Sequence, residues 1–203
     1  MKNVYYKVET INKLNFWDSI IAKRYKSVII EIGSSDGDVL VKMANKYRNS
    51  LIIGIELRNR FAQITAGRII AKRIKNAIVV NGDANQLFDE GYFPNESINE
   101  IHIYFPSPNN IRRRDRFISN INNRKFVKNA YSIVKTGGII KMLTDEYKFF
   151  KYFNSIMDRS KWNEVQFFSD FENSINGLLI ESDWEYLCYY QELDIYTLQL
   201  EKR

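Results

Sequence analysis

The stretch Ser27-Val-Ile-Ile-Glu-Ile-Gly-Ser-Ser-Asp-Gly37 decides the fold. A short apolar run that breaks into glycine and serine reads as a buried strand entering a tight loop. Downstream, Val39, Leu40, Met43 and Ala44 recur at helical spacing, and Leu51-Ile-Ile-Gly-Ile-Glu56 is a second apolar run closed by an acid. Strand, helix and strand follow one another within thirty residues, which is the length of a βαβ unit. The alternation continues with a helix over roughly 60–75, strands Ala77–Asn81 and Ile101–Phe105, and a helix from Val127 to Val134. Gly137-Gly138 then predicts a turn into a strand over Ile139–Leu143. Near the end, Glu164–Phe168 and Asp194–Leu200 are expected to pair as strands. Ahead of the first strand, Leu14, Phe16, Trp17, Ile20 and Ile21 repeat at helical spacing. Such alternation demands a mostly parallel sheet with both faces covered by helices. The reading is one α/β domain over residues 1–203, with an N-terminal segment 1–26 and a Ser-, Asn- and Asp-rich insertion at about 169–193.

Composition agrees with one core. The chain has 203 residues, 45% hydrophobic and 14% aromatic, enough to bury a sizeable interior. Thirty Lys and Arg against 24 Asp and Glu leave a formal charge of +6, which favours an anionic partner without identifying it. No apolar run has the length of a membrane span, and Met1–Glu9 is polar and aromatic, unlike a signal peptide. A cytoplasmic protein with no membrane partner is therefore expected. The single cysteine, Cys188, lacks the Cys and His neighbours of a zinc site, so it reads as a buried thiol and no metal is expected.

The chemistry gathers at strand ends, where an open parallel sheet forms its ligand crevice. Glu31-x-Gly33-x-x-x-Gly37 closes the first strand. Its glycines, with Ser34 and Ser35 between them, let backbone approach a ligand, and Glu31 places a carboxylate where a cationic group can be met. Glu56 closes the second strand and is placed to accept from two ribose hydroxyls, with Leu57 beside it. Asp83-Ala84 follows the third and can hold an adenine amino group. A glycine pair alone would read as an ordinary loop, but the ordered set of three points to a nucleotide-type cofactor. A nicotinamide dinucleotide usually asks for Gly-x-Gly-x-x-Gly, whose second glycine is Ser35 here; S-adenosyl-L-methionine fits better.

Tyr104-Phe-Pro-Ser-Pro108, Arg112-Arg-Arg-Asp-Arg116, Gly137-Gly138 and Leu143-Thr-Asp145 extend the pattern. With Glu31-Ile-Gly33, Gly54-Ile-Glu56, Asp83-Ala84 and Ser182-Asp-Trp-Glu185, the chain resembles the bacterial tRNA (guanine-N7)-methyltransferase family of the TrmB type from about Val28 onward. The resemblance implies a Rossmann-like class I S-adenosylmethionine-dependent methyltransferase fold, a seven-stranded, mostly parallel sheet with an antiparallel C-terminal strand. It implies donor contacts from Glu31, Glu56 and Asp83, and substrate contacts from Thr144, Asp145 and Ser182 to Glu185, Trp184 among them. Ser107 stands where the family has a catalytic aspartate, Asn109 where it has tryptophan, and Ile111 where it has lysine.

Guanine N7 carries a lone pair and no proton, so its attack on a sulfonium methyl needs alignment and charge stabilisation but no base. Ser107 can still offer a hydrogen bond. Arg112, Arg113, Arg114 and Arg116, with Arg124, Lys125 and Lys128 close behind, can grip phosphates or form a solvated face. Arg68, Lys72 and Lys75 at helical spacing predict one exposed basic face. His102, between Ile101 and Ile103, reads as a structural histidine. Trp184, Tyr186, Tyr189 and Tyr190 read as packing residues ahead of base-stacking ones. Three functions fit: methyl transfer to guanine N7 in tRNA, methylation of a small heteroaromatic or nucleoside-like metabolite, and tRNA binding without turnover. Oligomeric state is left open.

Overall fold

A computed structural model of the chain describes residues 3–20, 25–106, 123–168 and 182–203. Eight strands form one sheet: β1 (Tyr5–Lys7), β2 (Ser27–Ile32), β3 (Ser50–Glu56), β4 (Ala77–Asn81), β5 (Ile98–Tyr104), β6 (Val134–Thr144), β7 (Trp162–Phe168) and β8 (Tyr196–Lys202). Their order is β1-β4-β3-β2-β5-β6-β8-β7, parallel from β1 to β6 and antiparallel where β8 lies between β6 and β7. Among the described residues the helices are α1 (Lys13–Ile20), α2 (Asp38–Lys46), α3 (Asn59–Ala71), α4 (Ala84–Asp89), α5 (Arg124–Ile133), α6 (Tyr147–Ile156) and α7 (Asp183–Tyr190). The sheet order reverses between β2 and β3 on one side and β5 on the other, so the carboxyl ends of β2 to β6 frame the crevice of a doubly wound sheet.

The central strands are largely buried because helices cover both faces. Every residue of β3 and β4 is buried, and Ile30, Ile53, Ile101 and Ile103 are sealed. Each such isoleucine contributes about 1.5–3 kcal/mol through burial. Gly54 has a packing reason: a Cβ there would lie 2.2 Å from Leu40 Cδ1 and 2.9 Å from Ser34 Oγ, so its absence lets α2 and the first loop close onto β3. Among the described residues no helix is long and apolar enough to cross a membrane.

The structure corrects two expectations. Among the described residues the sheet has eight strands and not seven, because Tyr5–Lys7 adds an edge strand parallel to β4. Gly137-Gly138 is not a turn before β6 but lies inside it, where the register with β5 jumps from Ile98↔Val134 to Glu100↔Ile139. The expected closing pair forms as β7 and β8. Ile21 of the predicted N-terminal helix and residues 169–181 of the insertion lie outside the described residues.

Candidate functional site

Strand ends bring the predicted acids together. Glu31, the penultimate residue of β2, is buried between Gly54 of β3 and His102 of β5 in the sheet register. Beyond it the backbone turns through Gly33 (φ 79°), Ser35 (φ 47°) and Gly37 (φ 83°) into α2. Space around the Gly33 Cα is open, whereas a Cβ on Gly37 would sit 2.7 Å from Thr65 Cγ2. Only glycine meets both that contact and the left-handed φ at 37 without strain. The loop is pinned from outside by Thr65, whose hydroxyl donates to Ser35 O (2.7 Å), and by Arg68, which pairs with Asp36 (2.7 Å) and Asp38 (3.3 Å). Arg68 thus leaves the basic face expected of Arg68, Lys72 and Lys75; it is half-buried and committed to two carboxylates.

Glu56, at the end of β3, is buried and holds the crevice rim. Its Oε2 accepts from the Ser35 N–H (2.9 Å) and its Oε1 from the Arg58 N–H (2.8 Å). A carboxylate has about four acceptor sites, so two ribose hydroxyls can still be accommodated. Asn81 fixes the strand end by donating to the carbonyls of Glu56 (2.9 Å) and Leu57 (3.0 Å). Leu57 itself is exposed. Asp83 caps α4 by accepting from the Asn85 N–H (2.8 Å), and Ala84 is buried behind it.

Two buried polar atoms at the first loop lack partners among the described residues: Glu31 Oε2 and Ser34 Oγ. Glu31 is surrounded by like charge. Burial above all, then Glu56, Asp36 and Asp38, push its carboxyl up to about 8. Unsatisfied buried acceptors are costly, and a cationic, hydrogen-bonding ligand is what this corner lacks.

Across β5 the second half of the crevice is assembled. Thr144 is buried at the end of β6 and its hydroxyl accepts from the Glu146 N–H (3.1 Å); Asp145, next to it, is half-buried. Burial first, then the charges of Asp145 and Glu185, push the Cys188 thiol up to about 11, and Cys188 packs with Leu143, so α7 stands over the end of β6. Ser182 and Glu185 cap that helix reciprocally: Ser182 Oγ accepts from the Glu185 N–H (3.1 Å) and Glu185 Oε2 from the Ser182 N–H (2.6 Å). The other oxygen, Glu185 Oε1, is buried without a partner among the described residues. Ser182→Ala is expected to cost about 1 kcal/mol in urea unfolding. An unchanged stability would mean the hydroxyl does not cap.

Trp184, Tyr186, Tyr189 and Tyr190 are exposed on α7, contrary to the packing role expected for them; only Glu185 and Cys188 of that helix turn inward. Trp184 touches Phe105, with ring centroids 6.5 Å apart. Phe105 itself has φ 45°, a strained conformation for a bulky residue, at the entrance to the loop that leads to Ser107. Ser107, Asn109, Ile111, Arg112, Arg113, Arg114 and Arg116 lie outside the described residues.

His102 is fully committed within β5. Its Nε2–H donates to Glu100 (2.7 Å), and its Nδ1 accepts from the Tyr104 hydroxyl (2.5 Å). Burial first of all holds its pKa below the ordinary value, consistent with a neutral ring. Sequence reasoning missed Asn81, Thr65 and this Glu100–His102–Tyr104 chain. A signal existed for the last, since residues at i, i+2 and i+4 of a strand share one face.

A doubly wound sheet of this order, with acids closing three successive strands, defines a class I methyltransferase fold. The chain belongs to the family described as "Putative methyltransferase", whose sequence profile matches residues 25–196. It is similar to the tRNA (guanine-N(7)-)-methyltransferase of Mycoplasma genitalium, 29% identical over 187 residues, covering 84% of this chain and 80% of that protein. It is also similar to the one of Campylobacter fetus, 22% identical over 188 residues, covering 93% of this chain but 45% of that longer protein. Among solved structures, a 30S ribosomal A1408 methyltransferase from an uncultured bacterium shares the fold at TM-score 0.62 and 20% identity, with both chains covered in full. TrmN from Thermus thermophilus does so at TM-score 0.63 and 13% identity, covering 89% of this chain and 45% of that one.

Proposed function

We propose that this protein transfers a methyl group from S-adenosyl-L-methionine to N7 of guanine in tRNA, in the cytoplasm. The observation that carries the reading is the pair of half-sites at the sheet's crevice. One holds Glu31, Glu56 and Asp83 with an orphaned carboxyl oxygen beside an open glycine turn; the other holds Asp145 and the orphaned oxygen of Glu185. The names of the similar proteins from Mycoplasma genitalium and Campylobacter fetus support the choice of acceptor.

When bound, the donor supplies an electrophilic methyl on a sulfonium. Glu31 faces its ammonium, Glu56 accepts from its ribose hydroxyls, and Asp83 accepts from its adenine amino group. Leu57, exposed beside Glu56, offers an apolar surface to the adenine. On the other side Asp145 and Glu185 accept from guanine N1–H and the exocyclic amino group, both remote from N7. The N7 lone pair then needs alignment and no proton transfer, so Ser107 suffices where a base would otherwise stand. Arg112, Arg113 and Arg114 engage phosphates.

Ser107, Asn109 and Ile111 also motivate a second reading, methylation of a small heteroaromatic metabolite. One experiment separates the two: transfer of labelled methyl to bulk tRNA lacking N7-methylguanosine, followed by nucleoside analysis. The proposal expects labelled N7-methylguanosine. Donor binding with no label in tRNA would favour the small acceptor. Arg113→Ala is expected to weaken tRNA binding and flatten its log–log salt dependence by about one; an unchanged slope would remove Arg113 from the phosphate contacts.

A further inference from the structure

Glu31 is a carboxyl group buried among others of its kind. It is 3% exposed, and among the described residues its Oε2 has no hydrogen-bond partner and no cationic side chain pairs with it. Facing it, Glu56 comes from the end of β3, Asp36 from the loop and Asp38 from α2, the last two both held by Arg68 of α3. From β5 come His102, beside it in register, and Tyr104, whose hydroxyl feels the charge of Glu31 and of Glu185 on α7. His102 is tied to Glu100, Lys141 of β6 lies next to His102, and Lys46, the last residue of α2, and Tyr47 just after it act on that same Glu100–His102–Tyr104 chain. Arg58 pairs with Glu56 (3.6 Å) and Lys42 with Asp38 (2.9 Å), so among the described residues these cations serve Glu56, Asp36, Asp38 and Glu100, and none pairs with Glu31.

We propose that Glu31 carries a proton in the ligand-free protein and releases it to solvent as the ammonium of the methyl donor enters, so that donor binding and proton release are one event. The inference rests on the donor site proposed above. Before binding, ionising Glu31 would place an unpaired charge in a buried corner beside three carboxylates, which both desolvation and repulsion oppose. The arriving ammonium removes both obstacles at once, because it supplies the opposite charge and the missing donor to Oε2. The balance is simple: Glu31 goes from carboxylic acid to carboxylate, the ammonium keeps its protons, and one proton passes to buffer. A raised carboxyl, up to about 8, agrees with this order of events. Donor affinity then falls as the pH drops, since protons compete for the site.

Isothermal titration of the whole protein with S-adenosyl-L-methionine, without tRNA, tests it at pH 7 in phosphate and in Tris, whose heats of ionisation differ. The proposal expects a heat that depends on buffer and reports close to one proton released per donor bound. It also expects the dissociation constant to rise about tenfold from pH 7 to pH 6. Glu31→Gln keeps the shape, lacks the proton, and is expected to lose both the buffer dependence and the pH dependence. Donor binding by the wild type with the same heat in both buffers and the same affinity at both pH values overturns the proposal while leaving the donor site standing. Absence of saturable heat in either buffer overturns the donor site itself and the proposal with it. The wild-type comparison decides the matter even if the variant fails to fold.

Discussion

Glu56→Ala is expected to lower the affinity for S-adenosyl-L-methionine by at least a hundredfold. The carboxylate has two duties. It closes the crevice by taking the Ser35 and Arg58 N–H groups at 2.9 and 2.8 Å, and it is the group placed to meet the donor's ribose. Hydrogen bonds to a charged group contribute about 1.5–3 kcal/mol each, and the alanine variant leaves both backbone donors unpaired. Loss of the loop geometry and loss of the ribose contact therefore add. Glu56→Gln retains one acceptor oxygen and is expected to fall between the two. Titration calorimetry reads the affinity, and circular dichroism confirms that the sheet persists. An unaffected affinity in Glu56→Ala would remove β3 from the donor site.

The second large effect is on stability against pH in the absence of ligand. The Glu31 carboxyl sits at about 8 in the folded chain against 4.5 as its ordinary value, so the folded state binds its proton more tightly than the unfolded state does. Below 4.5 both states hold that proton and the stability it confers is complete. As the pH climbs toward 8 the unfolded chain releases it and the folded chain does not, so stability falls throughout that window and levels off above it. At about 1.4 kcal/mol for each tenfold difference in proton affinity, the full loss amounts to about 5 kcal/mol. His102 works the other way, since its lowered pKa costs stability only on the acid side. Comparing wild type with Glu31→Gln cancels that contribution. Urea unfolding between pH 5 and 8 is expected to show the decline in the wild type and not in the variant; parallel curves would mean that Glu31 is ionised in the free protein.

The parts of this molecule that could be read from its residues are those in which one physical demand dominates. Strands β2, β3 and β4 are buried on both faces, so they are continuous apolar runs and cannot be mistaken for loops. The acids that end β2 and β3 are legible for the same reason, because a charge closing such a run has to face the crevice. Strand β1 was not legible: three residues, Tyr5, Tyr6 and Lys7, are too short to show a period, and their pairing with β4 is purely tertiary. The spacing of Arg68 with Lys72 and Lys75 was real, but it carried no information about Asp36 and Asp38, which lie thirty-two and thirty residues away and hold that guanidinium. Ser182-x-x-Glu185 shows how one pattern serves two ends. The spacing that resembles a substrate motif is also that of a capping box, and the fold uses it as one while leaving Glu185 Oε1 for something else. The aromatics of α7 misled because large rings are usually buried; here the helix turns inward only Glu185 and Cys188.

The central claim is that the acceptor atom is guanine N7, and that the protein reaches it with serine at position 107. Transfer of labelled methyl from S-adenosyl-L-methionine to two tRNA transcripts tests it most directly, one made with guanosine and the other with 7-deazaguanosine, in which a C–H replaces N7. The account predicts label in the first and none in the second. Equal labelling of both would contradict it and place the methyl on another atom.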